Sequence, residues 1–550
     1  MRAIGFFAAA SLCACSARIE APPGNPFSGE RGEAPAPVAG LAGPLNSRLL
    51  LGFEYRNAIE DLLGPVARAR ANPPADTALN GMTAVGAGTL ALGMSQLEVY
   101  ETSARAVAEA ALGDPLTRAG LLPCEPLDAS DAPCMAAVAA TLGPKVLRRP
   151  LSDEEIAGWA DLGLAAALQE GSFDEGLKWL LTGLLLSPDF LYLNAVGRPH
   201  PGDARLRLLT APELASRLAF FLTGSTPPQW LLLAAGRGEL EDSAQIAAAA
   251  RQLLAGPRGD AAVARLFDEL FGLDALSVAA KDSTTFPSWT PALAGSMRAE
   301  FLALVSEASR DDGRDFRALL DQRVAYVDPL LAAHYGLPAP QSGGLERVAL
   351  PPESGRGGLL SLGAFLARHS HPVSSSPTLR GKFVRERLLC QPVDAPPTNV
   401  IPSLPPAVPG KPQTTRDRHA QHMQLAGCSG CHTLMDPLGF ALEHFDATGA
   451  YRETEVGLAI DTTGTLDGAA FDGAQQLGSI LATDARVQRC LLRTFYRQAV
   501  GHLEAAGEER FLTAQEARFS ALGGAIKPWL VELVSSPEFR TGLAPSGVTP

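Results

Sequence analysis

The chain has 550 residues, 46% of them hydrophobic and 19% charged, enough length for several domains and enough apolar content for sizeable cores. Asp and Glu number 59 against 46 Lys and Arg, a net charge of −13. With no basic run or patch, that balance argues against a nucleic-acid partner.

The chain opens MRAIGFFAAASLCACSAR. One cation, Arg2, precedes an apolar run from Ile4 to Leu12 that is too short to span a bilayer, the pattern of a secretory signal. Its end, Leu12-Cys13-Ala14-Cys15, resembles a bacterial lipobox, in which a cysteine takes a diacylglyceryl anchor and becomes the mature N-terminus. Cys15 fits that role, with Leu12 three before it and a small Ala just before it, and Cys13 does not. An ordinary signal peptide with two incidental cysteines is the competing reading. The expectation is a signal over 1–15 and an exported protein, lipid-anchored to a bacterial membrane on its periplasmic or outer-membrane face. Residues 16–45, rich in Pro, Gly and Ala, read as a flexible tether.

Helical patterns follow. RLLLGFEYRNAIEDLLG (48–64) puts Leu51, Tyr55, Ile59, Leu62 and Leu63 on one face, with Gly64 as a stop. Thr102–Leu112 is Ala-rich helix. Ser152 and Glu155 have capping-box spacing before a periodic run, and Thr210 and Glu213 repeat it. The apolar run Leu177–Leu193 is broken by Lys178, Pro188 and Asp189 and reads as a buried core helix. LLLSPDF (184–190) and LVSSPEF (533–539) each read as a helix ended by Ser-Pro. Strand signals are few: RVAYV (323–327), RVAL (347–350) and AIDTTGTL (459–466) with a Gly turn. Residues 391–412 hold eight prolines and cannot be helix, so they form an extended strap.

Beyond the strap comes GCSGCHTLMDPLGF (427–440), with Cys428, Cys431 and His432 at C-x-x-C-H spacing. Two thiols so spaced form thioethers with the two vinyl groups of a haem, and the next residue, His432, is held under the iron as proximal ligand. A redox C-x-x-C expects a βαβ setting that is not here. A zinc site wants a second cysteine pair, which is missing. A disulfide between Cys428 and Cys431 would close a strained loop. Haem c is therefore the expected cofactor. Met435 is expected to pack on the haem edge. Three residues reach only about 11 Å, so it cannot cross to the distal side. Met423 is expected on the same helix as the motif. No Met follows Met435, so the distal position falls to a histidine or stays open; His371, before the strap, is the first choice, with His444 and His502 as alternatives. Asp446 and Arg452 could pair or contact a propionate. Asp461, Asp467 and Asp472 do not match calcium-loop spacing.

Of eight cysteines, Cys13 leaves with the signal, Cys15 takes lipid, and two belong to the motif. Cys124, Cys134, Cys390 and Cys490 remain, an even number in an exported chain, with three possible pairings. Cys124 and Cys134 flank a short Pro/Asp-rich loop and suit a local disulfide. Cys390 and Cys490 then pair by elimination. Buried free thiols are the alternative.

HMQLAGCSGCHTLMDPLGFALEHFDATGAYR (422–452) closely resembles the haem-binding segment of the planctomycete cytochrome C family, exported multidomain proteins of planctomycetes and myxobacteria. Other segments resemble that family in its usual order: EYRNAIEDLLG (54–64), LRRPLSDEE (147–155), LLLSPDFLY (184–192), LTAPELASRLAFFLTGSTP (209–227), YVDPLLAAHYGLP (326–338), RGGLLSLGAFLARHSHPVSSSPTLRGKFVRERLLC (356–390) and FYRQAVGHLE (495–504). The resemblance implies a mainly α, multidomain helical protein with an embedded cytochrome c-like haem module and a few short strands. The domains expected are N-terminal helical (46–140), small helical (141–200), central helical (201–345), haem (346–465) and C-terminal helical (466–550). The first functional reading is electron transfer through a single covalent haem. The second is a haem-dependent oxidase or peroxidase whose substrate is held by the helical domains. The third is a surface binding or scaffold protein with structural haem. The redox partner or substrate is not named by any motif.

Overall fold

Capping signals in the sequence mark real helix ends in the computed structural model, which describes residues 43–310, 314–394, 410–424 and 428–544. The signal segment with Cys15, the tether as far as residue 42, and residues 395–409 of the strap lie outside the described residues. The protein is mainly α, with short antiparallel sheets of two or three strands. Among the described residues no helix is long and apolar enough to cross a membrane.

Ser152 Oγ accepts the Glu155 amide, and Glu155 returns a carboxylate to the Ser152 amide at 2.9 Å, opening the helix Asp153–Glu170. Glu213 likewise accepts from the Thr210 amide and hydroxyl and opens Ala211–Thr223. The two Ser-Pro phrases do more than end helices. Ser187 follows Phe173–Leu186 and caps a new turn at Pro188–Leu191; Ser536 does the same between Ile526–Ser535 and Pro537–Arg540. The first helix differs from expectation. Gly64 has φ 82°, which breaks the helical path, but Pro65 restarts it at once and the element runs Gly52–Arg68.

Two hydrophobic cores follow from these stripes. One gathers Tyr55, Ile59, Val107, Val138, Leu177 and Leu184, from residues 50–193 together with Phe220. The other takes its side chains from 195 to 539. RVAYV and RVAL pair antiparallel as Val324–Val327 and Glu346–Ala349. In AIDTTGTL the expected Gly turn is corrected: Gly464 lies inside the strand Thr463–Leu466, which pairs with Ala469–Asp472 across Asp467-Gly468. Both turn residues have positive φ, 48° and 95°, as a two-residue hairpin requires. Both expected disulfides are present. Cys124–Cys134 closes the local loop, and Cys390–Cys490 ties the end of the segment before the strap to the helix Ala485–Val500.

A buried polar cluster joins the central helices to the segment that carries the motif. Tyr335 donates to Glu300 at 2.6 Å and accepts the Gly363 amide at 2.7 Å. Arg356 stacks on the Tyr335 and Phe445 rings and donates to the carbonyls of Ser361 and Gly449. Glu300 is fully buried, and burial pushes its carboxyl up to about 8 despite the Tyr335 hydrogen bond and the charge of Arg356. Its folded value lies above its unfolded one, so folding retains a proton that the unfolded chain releases. The stability this gives is whole in acid and drains away as pH rises from about 4.5 to about 8. Glu300→Gln keeps the acceptor for Tyr335 and removes the ionisation. Melting curves between pH 5 and 8.5 should show wild type losing stability with pH, on the order of a few kcal/mol, and the variant should lack that slope. Parallel curves would mean that Glu300 does not titrate in this range.

Candidate haem site

Three helices build the site. Ser376 caps Pro377–Phe383, with Pro at its first position. Thr415–Met423 starts where Asp417 accepts from the Thr414 amide and hydroxyl, and Thr415 is fastened to Glu455. The motif helix, Ser429–Phe440, begins at Cys428. Met423 thus ends a helix separate from the motif helix, which corrects the expectation that they share one. Pro377–Phe383 and the motif helix approach as closely as two backbones can. A Cβ on Gly381 would lie 1.8 Å from Met435 O, and one on Gly439 would lie 1.9 Å from Pro377 O. Only glycine permits that contact.

The close approach puts Thr378 against Asp436. The Asp436 side chain has no exposed surface. Its Oδ1 accepts from Thr378 Oγ1 at 2.8 Å. Its Oδ2 accepts from Nδ1 of His419 at 2.7 Å and from Nδ1 of His432 at 2.8 Å. Burial alone would raise this carboxyl; the hydrogen bonds and charges of the two imidazoles outweigh it and hold it at about 2. A carboxylate accepts only, so both rings carry a proton on Nδ1, and Nε2 is the nitrogen of each ring suited to ligate a metal. His419 is buried and meets the edge of Phe440, whose face is covered by Arg416.

Cys428 and Cys431 are half-buried thiols outside any disulfide, at the head of the motif helix, with His432 beside them. Thiol, thiol and an imidazole with Nδ1 held by a buried carboxylate are the donor set a c-type haem uses, and the residues fit that group. Donor atoms of His419, His432 and Asp436 also lie within 4.8 Å of one another, close enough for a bare metal ion. In this structure the three side chains are joined to one another by hydrogen bonds through Nδ1 of each ring.

His419 escaped the sequence reading, although its chemistry matches that of His432. It cannot serve as the distal ligand while this geometry holds. The two Nδ1 atoms are no farther apart than two hydrogen bonds laid end to end. Imidazoles on opposite faces of one iron would hold them roughly 8 Å apart. A group ligated by His432 would therefore have His419 on the His432 side. His371 is exposed on a turn, its amide bound to Ser374 O and its carbonyl taking Lys281 Nζ at 3.2 Å. His369 packs between Phe365 and Phe383 rather than against His432. Burial, then Arg368, pushes it down to about 3, so it stays neutral. His444 faces Tyr451, and His502 faces Tyr496 with Nδ1 toward Leu503 O. Met435 is buried in the seam beside Gly381.

Asp446 and Arg452 do not pair. Asp446 Oδ1 caps its own turn through Thr448 and Ala450, whereas Arg452 reaches Glu443 and Ser375. Glu443 is itself buried and bound to Arg380, whose side chain has no exposed surface; Arg380 also donates to the carbonyls of Leu442, Phe445 and Asp446. Short polar side chains in a turn satisfy local amides first, which took Asp446 away from Arg452.

Four family models match the chain in succession, each described as a protein of unknown function: PSD3 (DUF1587) over 48–113, PSD5 (DUF1595) over 134–194, PSD4 (DUF1592) over 209–337 and PSCyt3 (DUF1588) over 356–455. The last of these spans Thr378, His419, the motif and Asp436. No curated protein and no solved structure matches the chain.

Proposed function

From a chain that carries four domains of the planctomycete cytochrome C group, we propose an exported lipoprotein that passes electrons through one covalent haem c. The observation that carries this is the head of the motif helix: two half-buried thiols and His432, whose Nδ1 is held by Asp436 at 2.8 Å. Cys428 and Cys431 would hold the haem by thioethers and His432 would take the proximal iron position, with Met435 against the haem edge. The group supplies one-electron exchange at iron. Asp436 keeps the His432 proton on Nδ1, and Thr378 and His419 fix the carboxylate. The rigid seam at Gly381 and Gly439 limits rearrangement, which suits transfer more than bond-making. His371 is the histidine proposed for the opposite face, because its side chain is exposed on a pinned turn. The domain limits read from the sequence are part of the same proposal.

Protein matured in a strain able to attach haem should keep its haem through acid–acetone extraction, and Cys428→Ser with Cys431→Ser should lose it. An apoprotein mass for the wild type would end the proposal. A ferric spectrum free of a Met–iron charge-transfer band and altered by His371→Ala places His371 over the haem; an unaltered one removes it. The lipid anchor rests on Leu12-Cys13-Ala14-Cys15. Cys15→Ala should abolish acyl labelling and release the protein from membranes, and labelling that survives would refute the site.

A further inference from the structure

The two hydrophobic cores meet along the helices Gly52–Arg68, Ala211–Thr223 and Pro257–Phe271, and a cavity of about 280 Å³ opens between them. Junctions of this kind commonly hold small-molecule sites, and the size suits a small ligand. The wall is accessible. Ala261 and Arg265 are exposed, and Phe53, Phe221 and Ala262 are half-buried.

Most of the charge on this wall is already matched. Glu54 takes two N–H groups of Arg48 at 2.7 Å each and the Leu51 amide at 2.8 Å. Glu60 is paired with Arg68 at 2.8 Å, and Arg258 with Asp61. Arg265 and Glu269, one turn apart on Pro257–Phe271, are not matched. Arg265 lies over the Phe53 ring, 3.7 Å from its centre, and makes no hydrogen bond or ion pair among the described residues. Stacking uses the face of a guanidinium and leaves the N–H fork in its plane free. Asp268, three positions on, belongs to Arg298. Glu269 gives Oε1 to the Thr83 amide and hydroxyl at 2.6 and 2.8 Å, and Oε2 has no partner among the described residues. Arg387 acts on this carboxylate only from beyond ion-pair distance. Side chains at i and i+4 are neighbours on a helix, yet these two do not pair, and both line the cavity. Two amides complete the wall. Gln498 gives its oxygen to the Ala84 amide and Asn57 its nitrogen to Gly224 O, which leaves a donor and an acceptor for a ligand.

A ligand with a single charge would satisfy one of these groups and set its own charge against the other. We propose that this cavity binds a small apolar α-amino acid, with its carboxylate on the Arg265 fork, its ammonium on Glu269, and its side chain against Phe221, Ala261 and Ala262. Carboxylate on guanidinium and ammonium on carboxylate are both charge-assisted hydrogen bonds, the strong kind. The site uses no residue of the haem motif and stands whether or not haem is attached there.

Calorimetric titration of the full-length mature protein with L-valine, isovalerate and isobutylamine tests this, since the second lacks only the ammonium and the third only the carboxylate. Wild type should bind L-valine about tenfold tighter than either. Arg265→Gln should weaken L-valine and isovalerate about tenfold and leave isobutylamine unaffected. Glu269→Gln keeps the acceptor for Thr83; it should weaken L-valine and isobutylamine about tenfold without weakening isovalerate. Melting curves report that each variant is folded. No heat from L-valine at millimolar concentration, isovalerate or isobutylamine binding as tightly as L-valine, or L-valine binding unchanged in either variant would each overturn the assignment.

Discussion

One carboxylate with no exposed surface, Asp436, holds the candidate site together. It accepts a hydrogen bond from each of two imidazoles and from a threonine hydroxyl, and those three donors stand on three different helices. A buried charge with satisfied lone pairs is tolerable; the same charge with a partner removed costs several kcal/mol. The constraint runs both ways. Asp436 fixes the rings, and the rings keep Asp436 ionised. That mutual dependence explains why Gly381 and Gly439 must be bare, since any Cβ there would push Thr378 away from its acceptor.

The rest of the chain delivers this unit to a fixed place. Arg356 and Tyr335 lock the segment before the motif to the central helices, and the Arg380–Glu443 pair anchors the chain just after it. The Cys390–Cys490 bridge ties the segment leading into the Pro-rich strap to the C-terminal helices. The two polar ties are made of groups that would be costly to bury alone, so each is strong only as part of the assembled fold.

What the sequence made legible were features whose physics is local. Ser-Pro and capping-box spacings work within one turn, whereas the hairpin at Asp467-Gly468 was missed in favour of a turn at Gly464. C-x-x-C-H is legible because its three residues lie within five positions. The disulfides followed from counting. His419 was not legible: it meets Asp436 across 17 positions and a break between two helices, and no spacing rule reaches that far. Gly64 was read as a stop because periodicity cannot see that Pro65 restarts the helix.

In the proposed haem protein Asp436 would set the electron-donating strength of His432, and the midpoint reduction potential reads that most directly. In Asp436→Asn the carboxylate charge on Nδ1 is lost while a hydrogen-bond acceptor of similar size remains. With haem still covalently attached and His432 still bound, the potential should rise by roughly tens of millivolts relative to wild type. A potential unchanged in that variant would contradict the claim that the buried carboxylate governs the iron ligand.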